Sequence, residues 1–338
     1  MRKFNILVVK ESKAGEKRVS LLPEEVKKLV KAGHSVFVET GAGEGIAIAD
    51  SVYEDAGASI RAMDKNHCCK SLFHDINLIV RAKRATPARE IEELDWIEKG
   101  TIMVGALDPK EPRSQHIAQY KKNGIIGYSL DYLNVPTTST LNILAMMSKI
   151  TGRLAIQDAI NQFSGTVTKA VIVGYGTAGK SAFKEAITQK IKTTVFCTRK
   201  AHQEEIQAAG AQAIIIDKQG SIEQTQQQVC EEIINADIVI TAARSANKQS
   251  PLIIPIQTQN KMMKGSIIVD LALSDGGNVE GAEHDMTLST KNGVNITNVS
   301  GYPKIVPKEA SEKWSQASLA FIEALSSADP ITESARIC

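Results

Sequence analysis

Short apolar runs alternate with helical patterns along nearly all of this 338-residue sequence. Residues 4–9 form an almost wholly apolar run and predict a buried strand. Pro23 stands where the first helical residue would be. Glu24 and Glu25 follow in the first turn, Val26, Leu29 and Val30 make an apolar stripe, and Gly33 supplies the stop. Residues 35–39, 76–80, 101–107 and 124–128 predict further strands, and residues 140–163 a long helix whose Met146 and Met147 pack a core. A second series opens at Lys169, with strands at 170–173, 194–197, 213–216, 238–241 and 266–270. Residues 308–325 predict the last helix, and the tail after Ala328 a frayed end. Strand–helix alternation with continuous apolar strands implies parallel sheets covered on both faces. The expected architecture is α/β: two doubly wound Rossmann-like domains with an interdomain cleft, joined near residues 135–165. The division expected is residues 1–138 plus 305–338 as a catalytic or substrate domain, and residues 139–304 as a dinucleotide-binding domain.

Charge narrows the partners. Forty Lys and Arg face 38 Asp and Glu, a formal net charge of +2, and only 4% of residues are aromatic. Neither a basic face nor stacking platforms for nucleic acid are expected. The cysteines, Cys68, Cys69, Cys197, Cys230 and Cys338, are odd in number and lack zinc-type spacing, which suits reduced thiols in a cytoplasmic protein. No apolar run reaches the roughly 18–20 residues of a membrane helix, and the run before Lys10 and Glu11 is too short for a signal peptide.

The segment Gly174-Tyr175-Gly176-Thr177-Ala178-Gly179 follows a predicted strand and precedes a helical pattern, as a dinucleotide-binding turn must. Gly174 permits the tight turn, Gly176 lets backbone approach a pyrophosphate, and Gly179 permits close helix–strand packing. Thr177 and Ala178 begin the helix whose N–H groups would face the phosphates. The next strand should end in an acid that holds the ribose 2′-hydroxyl. It ends instead in Cys197, followed by Thr198, Arg199 and Lys200. Either the cations neutralise a 2′-phosphate, or they are two solvated charges; NAD(H), with NADP(H) as an alternative, is the expected cofactor. Thr241, Ala242 and Ala243, with Asp270, Gly276 and Gly277, lie at the carboxyl ends of later strands, where ligands bind in open α/β sheets. In the first half, Arg18, Lys83 and Asp108 hold equivalent strand-end positions. An Arg suits a carboxylate clamp and a Lys suits proton transfer. Arg81 and Arg84 flank Lys83, so the residues alone do not say which cation points inward. The six histidines, His34, His67, His74, His116, His202 and His284, have no metal or triad spacing and are expected at the surface or as caps. No Gly-x-Ser-x-Gly or P-loop supports a hydrolase or kinase.

These residues carry a resemblance. Lys10-Glu11, Arg18-Val19, Pro23 and the stretch 26–34, then 39–43 and 53–58, are similar to the opening of the alanine dehydrogenase / pyridine-nucleotide transhydrogenase family. The glycine turn, Thr198-Arg199, Gly210-Ala211, 236–239 and 269–278 continue it in order, so that residues 3–326 are covered. The resemblance implies a dinucleotide in the second domain, a homo-oligomer, and a C-terminal helix that returns to the first domain. One branch is the NAD(H)-binding α component of proton-translocating transhydrogenase, which passes hydride to NADP on another subunit. Residues 107–109 and Thr198-Arg199 with 205–207 lean that way, as do Gly276, Gly277 and Asn278. The other branch oxidises alanine to pyruvate and ammonia; its substrate-binding Arg corresponds to Arg18 and its catalytic Lys to Lys83. Departures affect both. Thr137, Thr138, Ser139 and Asn142 stand where the transhydrogenase loop has Arg, Gln and Asp. Asp108 and Ser274 stand where alanine dehydrogenase has a His and an Asp. A dinucleotide-binding protein without turnover is the third expectation. Expected partners are a small-molecule substrate or an NADP-binding transhydrogenase subunit, with no membrane insertion.

Overall fold

A computed structural model describes residues 2–62, 70–110, 115–217, 219–244 and 249–338. The chain divides into two compact units, Met1–Met147 with Pro303–Cys338, and Ser148–Tyr302. His67, Cys68 and Cys69 lie outside the described residues.

In the first unit the strands are β1 (Asn5–Val8), β2 (Ser35–Glu39), β3 (Ser59–Arg61), β4 (Leu78–Lys83), β5 (Ile102–Ala106) and β6 (Ile126–Ser129). All pair in parallel, in the order β3-β2-β1-β4-β5-β6. Between them run α1 (Pro23–Lys31), α2 (Asp50–Asp55), α3 (Lys70–Phe73), α4 (Pro87–Leu94) and α5 (His116–Lys122). The pleat sorts β1 to both faces: Ile6 and Val8 join one buried cluster, Leu7 and Val9 another. Burial on both faces is why the strand reads as an unbroken apolar run. The helix α1 starts and stops as expected, with Pro23 at its first position and Val26 and Leu29 buried.

In the second unit the strands are β7 (Lys169–Val173), β8 (Lys192–Cys197), β9 (Gln212–Ile215), β10 (Ile238–Thr241), β11 (Ile267–Asp270), β12 (Thr287–Ser289) and β13 (Asn295–Thr297). Their order is β12-β13-β11-β10-β7-β8-β9, and β12 is antiparallel to β13. The helices are α6 (Ile143–Gln162), in which one division between the units falls, α7 (Thr177–Thr188), α8 (Lys200–Ala208), α9 (Ile222–Ile233) and α10 (Ile256–Gln259). The chain closes with α11 (Tyr302–Ile305) and α12 (Pro307–Ser326).

Both units are therefore doubly wound α/β folds, as the sequence pattern predicts. The short strands β3, β12 and β13 are additions; three-residue strands carry too little periodicity to be read. The α12 helix packs in the first unit: Trp314, Phe321 and Ile322 join the cluster of Ile6 and Val8. Ser311 Oγ and Ser315 Oγ accept from Val19 N and Leu22 N at 3.0 and 2.7 Å, capping an extended segment with no sheet partner.

Two expectations are corrected. The tail is not frayed. Asp329 caps a 3-10 helix, Pro330–Ala335, and Ile337 N donates to Gly127 O at 2.8 Å, because Thr332 and Ala335 are buried. Two histidines are not surface residues. His34 stacks on Phe4, and His116 is buried against Tyr120 with Nε2 2.7 Å from Leu107 O.

Candidate functional site

In the second unit, strand order reverses between β7 and β10, and the glycine turn leaves β7 at that point. Gly174 has φ +102°, and a Cβ there would lie 2.9 Å from the carbonyl of Ala242. Only glycine lets the end of β10 pass so close. Ala242 N donates to Val173 O at 2.8 Å, locking the two strand ends together. A Cβ on Gly179 would overlap the carbonyl of Gly174, so α7 packs against the turn. Gly176 differs. A Cβ there would meet nothing within 4 Å. Gly176 is the N-cap of α7 and offers no side-chain cap, which leaves first-turn N–H groups of Thr177, Ala178 and Gly179 without an intrahelical partner. Open space beside uncapped helix N–H groups fits a pyrophosphate.

Asp270 and Thr241 stand at adjacent strand ends but are fully buried. Asp270 Oδ1 accepts from Thr241 Oγ1 at 3.0 Å and Ala272 N at 2.9 Å; Oδ2 accepts from Asn278 N at 2.8 Å and Val279 N at 3.1 Å. Asn278, also buried, accepts from Ala243 N at 3.0 Å and donates to Ala243 O and Pro251 O. These side chains tie the loops after β10 and β11 together, leaving backbone as the surface that could touch a ligand. Gly276 and Gly277 have φ +107° and +80°, and Ser274 is exposed beside them.

At the end of β8, Gly174 N donates to Phe196 O at 3.0 Å, which sets Cys197 beside the glycine turn. Cys197 is buried, and its thiol turns back to Arg199 O at 3.8 Å. Burial pushes that thiol above its usual range. Thr198, Arg199 and Lys200 are exposed.

The first unit reverses its strand order between β1 and β4, and there acidic side chains fill the crossover. Glu11 Oε1 and Oε2 accept from Ala82 N at 2.6 Å and Lys83 N at 3.1 Å, closing the end of β1 onto β4. Burial pushes the Glu11 carboxyl up to about 7, with Arg81 and the two N–H groups opposing and Glu16 adding to it. Glu39 Oε2 accepts from Lys10 N at 2.7 Å. Arg81, 1% exposed, pairs with Glu93 at 2.6 Å; Arg84 forks onto Glu90; Arg89 bridges Glu39 and Glu93, both at 2.6 Å. Tyr120 donates to Glu90. This network settles which cation turns inward: Arg81 and Arg84 are consumed, while Lys83 stays about a third exposed, 3.8 Å from Asp108 Oδ1. Asp108 also meets Lys13 at 3.4 Å and has φ +50°, a left-handed conformation rare outside glycine.

Arg18 is buried and already forked. Its Nε and Nη2 donate to Glu16 at 2.6 and 2.5 Å, and Nη1 to Met147 Sδ at 3.6 Å. Burial alone would raise the Glu16 carboxyl, but Arg18 holds it below the usual range. Lys10, Glu11, Glu16, Lys17 and Arg18 line a cleft of about 290 Å³. Asn142, in the stretch where a transhydrogenase loop has charged residues, caps α6: Ala145 N donates to its Oδ1 at 2.9 Å. Thr137 and Thr138 are exposed.

Sequence reasoning missed Glu11 and Glu16 as site residues. An acid one residue past a strand reads as a strand stop, and a Glu two residues before an Arg reads as a loop charge. It also missed the exposed group of His74, Asp75 and Glu98, whose ligand-type atoms lie within 4.8 Å of one another.

Comparison with known proteins agrees with this geometry. The family model "Alanine dehydrogenase/PNT, N-terminal domain" matches residues 7–151, and "Alanine dehydrogenase/PNT, C-terminal domain" matches residues 155–336. The chain is 28% identical to the first portion of the split NAD(P) transhydrogenase subunit alpha of Rhodospirillum rubrum, over 94% of this chain and 89% of that protein. It is 29% identical to alanine dehydrogenase of Bacillus subtilis (strain 168), over 90% of this chain and 81% of that protein. A solved L-alanine dehydrogenase shares the fold with TM-score 0.84 at 26% identity, over 99% of this chain and 94% of the other. The crystal structure of transhydrogenase from Sinorhizobium meliloti shares it with TM-score 0.87 at 24% identity, over 99% and 98%. Matched along both halves of its length, the chain belongs to the alanine dehydrogenase/PNT family.

Proposed function

We propose that this chain catalyses hydride transfer with a nicotinamide dinucleotide held at the glycine turn of its second unit. The observation that carries this reading is the open space over Gly176 beside the uncapped start of α7. When bound, the nicotinamide ring is the group that gives or takes the hydride. The chain's own part is binding and orientation. Gly174, Gly176 and Gly179 shape the turn, Thr177 and Ala178 present N–H groups to phosphate, and Ala242, Ala243, Gly276 and Gly277 offer backbone edges. Asp270, Thr241 and Asn278 hold those edges still from beneath.

Within the family, the reading supported best is an α component like that of transhydrogenase, which hands hydride to NADP on another subunit. Its support is the state of Arg18: Glu16 and Met147 already occupy the guanidinium, so an amino-acid carboxylate would have to displace a buried partner. The second reading, an amino-acid dehydrogenase such as one that converts alanine to pyruvate and ammonia, is favoured by Lys83. It is the cation at the end of β4 that the buried network leaves unspent, and Asp108 stands beside it to relay a proton. A homo-oligomer is expected for either.

The test has two arms. Reduction of an NADP analogue by NADH, with complementary transhydrogenase subunits added, is expected to proceed. NADH oxidation with pyruvate plus ammonium is expected to stay at the level of Lys83→Ala. A rate well above that level in the second arm, and none in the first, would reverse the ranking. Tight dinucleotide binding with no turnover in either would leave a binding protein.

A further inference from the structure

We infer that the end of β8 selects a dinucleotide bearing a 2′-phosphate, with Arg199 as its main contact and Thr198 and Lys200 beside it. The inference deepens the proposed function and rests on its placing of a dinucleotide at the glycine turn.

The hydrogen bond from Gly174 N to Phe196 O fixes the next residue, Cys197, alongside the turn. In a dinucleotide-binding unit that position faces the ribose of the adenosine half. An acid there does two things: it accepts hydrogen bonds from the ribose hydroxyls, and it repels a 2′-phosphate. Cys197 does neither. Its side chain is 1% exposed and turned to the Arg199 carbonyl, so it presents no acceptor and no charge to the ribose.

The residues after Cys197 are cationic and open. Arg199 is the N-cap residue of α8 and exposed, and neither it nor Lys200 makes a side-chain ion pair or hydrogen bond with another described residue. The N-terminus of α8 has no side-chain cap, so its N–H groups and dipole add to the same positive field. The neighbouring acid, Glu205, is held by Lys180 at 2.6 Å, which offsets its repulsion of an anion. His202, half-buried against Tyr175, is kept toward its neutral form by burial, then by Arg199. A phosphate dianion there would gain a forked guanidinium contact and a second cation without displacing any existing ion pair.

The test is a pair of titrations of the intact protein with NADPH and NADH, followed by intrinsic or cofactor fluorescence. NADPH is expected to bind tighter by about tenfold or more, the scale of one charge-assisted contact. Raising the salt concentration should shrink that ratio. Arg199→Ala should cut it by about tenfold, and Cys197→Asp should invert it. Cys197 is buried, so the Asp variant is read only if its unfolding profile matches the parent; Arg199→Ala, at an exposed position, keeps the inference testable regardless. NADH binding tighter than NADPH, or a ratio unmoved by Arg199→Ala, overturns the inference and leaves the proposed function standing. Failure of both dinucleotides to bind overturns both.

Discussion

At the crossover of the first sheet, Glu11 fills the gap between β1 and β4 with a carboxylate that takes two backbone N–H groups. At the crossover of the second, between β7 and β10, the chain places glycines, and a Cβ built on Gly176 would meet open space. The strand orders are alike, and both crossovers leave helix- and strand-end polar groups to satisfy. One unit satisfies them internally, with Glu11, Glu39 and the Arg81, Arg84 and Arg89 network. The other leaves them open. Topology makes a binding crevice available; the side chains at the crossover decide whether a ligand or the protein itself occupies it.

The contrast can be broken from either side. The largest effect should come from the filled crossover. Glu93→Ala would strand Arg81 and loosen Arg89, with an expected loss of about 3–5 kcal/mol, because an uncompensated buried charge remains. Chemical denaturation followed in the first unit measures it, and a loss near zero would mean the network is not structural. Next comes the open crossover. Gly176→Val, at φ −76° with free space for its side chain, should leave the melting temperature nearly unchanged yet weaken dinucleotide binding about 100-fold, about 2.7 kcal/mol. Gly179→Ala should do the opposite, lowering stability by about 1–3 kcal/mol through overpacking against Gly174. Titration and thermal melts of the two variants, run side by side, separate space for ligand from space for packing.

The third prediction concerns pH. The folded pKa of Glu11, about 7, lies above its ordinary 4.5. Its contribution to stability is therefore fully present below pH 4.5 and is lost as pH rises through 7. The amount is on the order of 2 kcal/mol. Glu11→Gln cannot titrate, so the difference in unfolding free energy between pH 5 and pH 8 should become smaller in the variant; an identical difference would remove Glu11 as the source. The smallest effect belongs to Lys83. Its contact with Asp108 is partly exposed and long, so Lys83→Ala should change stability by less than about 1 kcal/mol. A larger loss would make Lys83 part of the network that Arg81 and Arg84 form.

The sequence by itself determined the class of fold and the place of the glycine turn. Apolar runs such as Ile238–Thr241 are buried on both faces, and a short run with almost no polar position suits an inner strand. Glycines at the required spacing after such a strand carry their constraint locally, within six residues. The sequence also shows, without any coordinates, that Cys197 replaces the expected acid. Only the tertiary structure decided where the charges go. Arg81, Lys83 and Arg84 are near neighbours in sequence, but the acids Glu90 and Glu93 of α4 pull the arginines inward and leave the lysine out. Glu11, Glu16 and Asp270 look like ordinary loop or strand-end acids until partners from other segments close around them. Periodicity is a property of neighbouring residues, whereas the pairing of a buried charge is set by residues that the fold alone brings within hydrogen-bond reach.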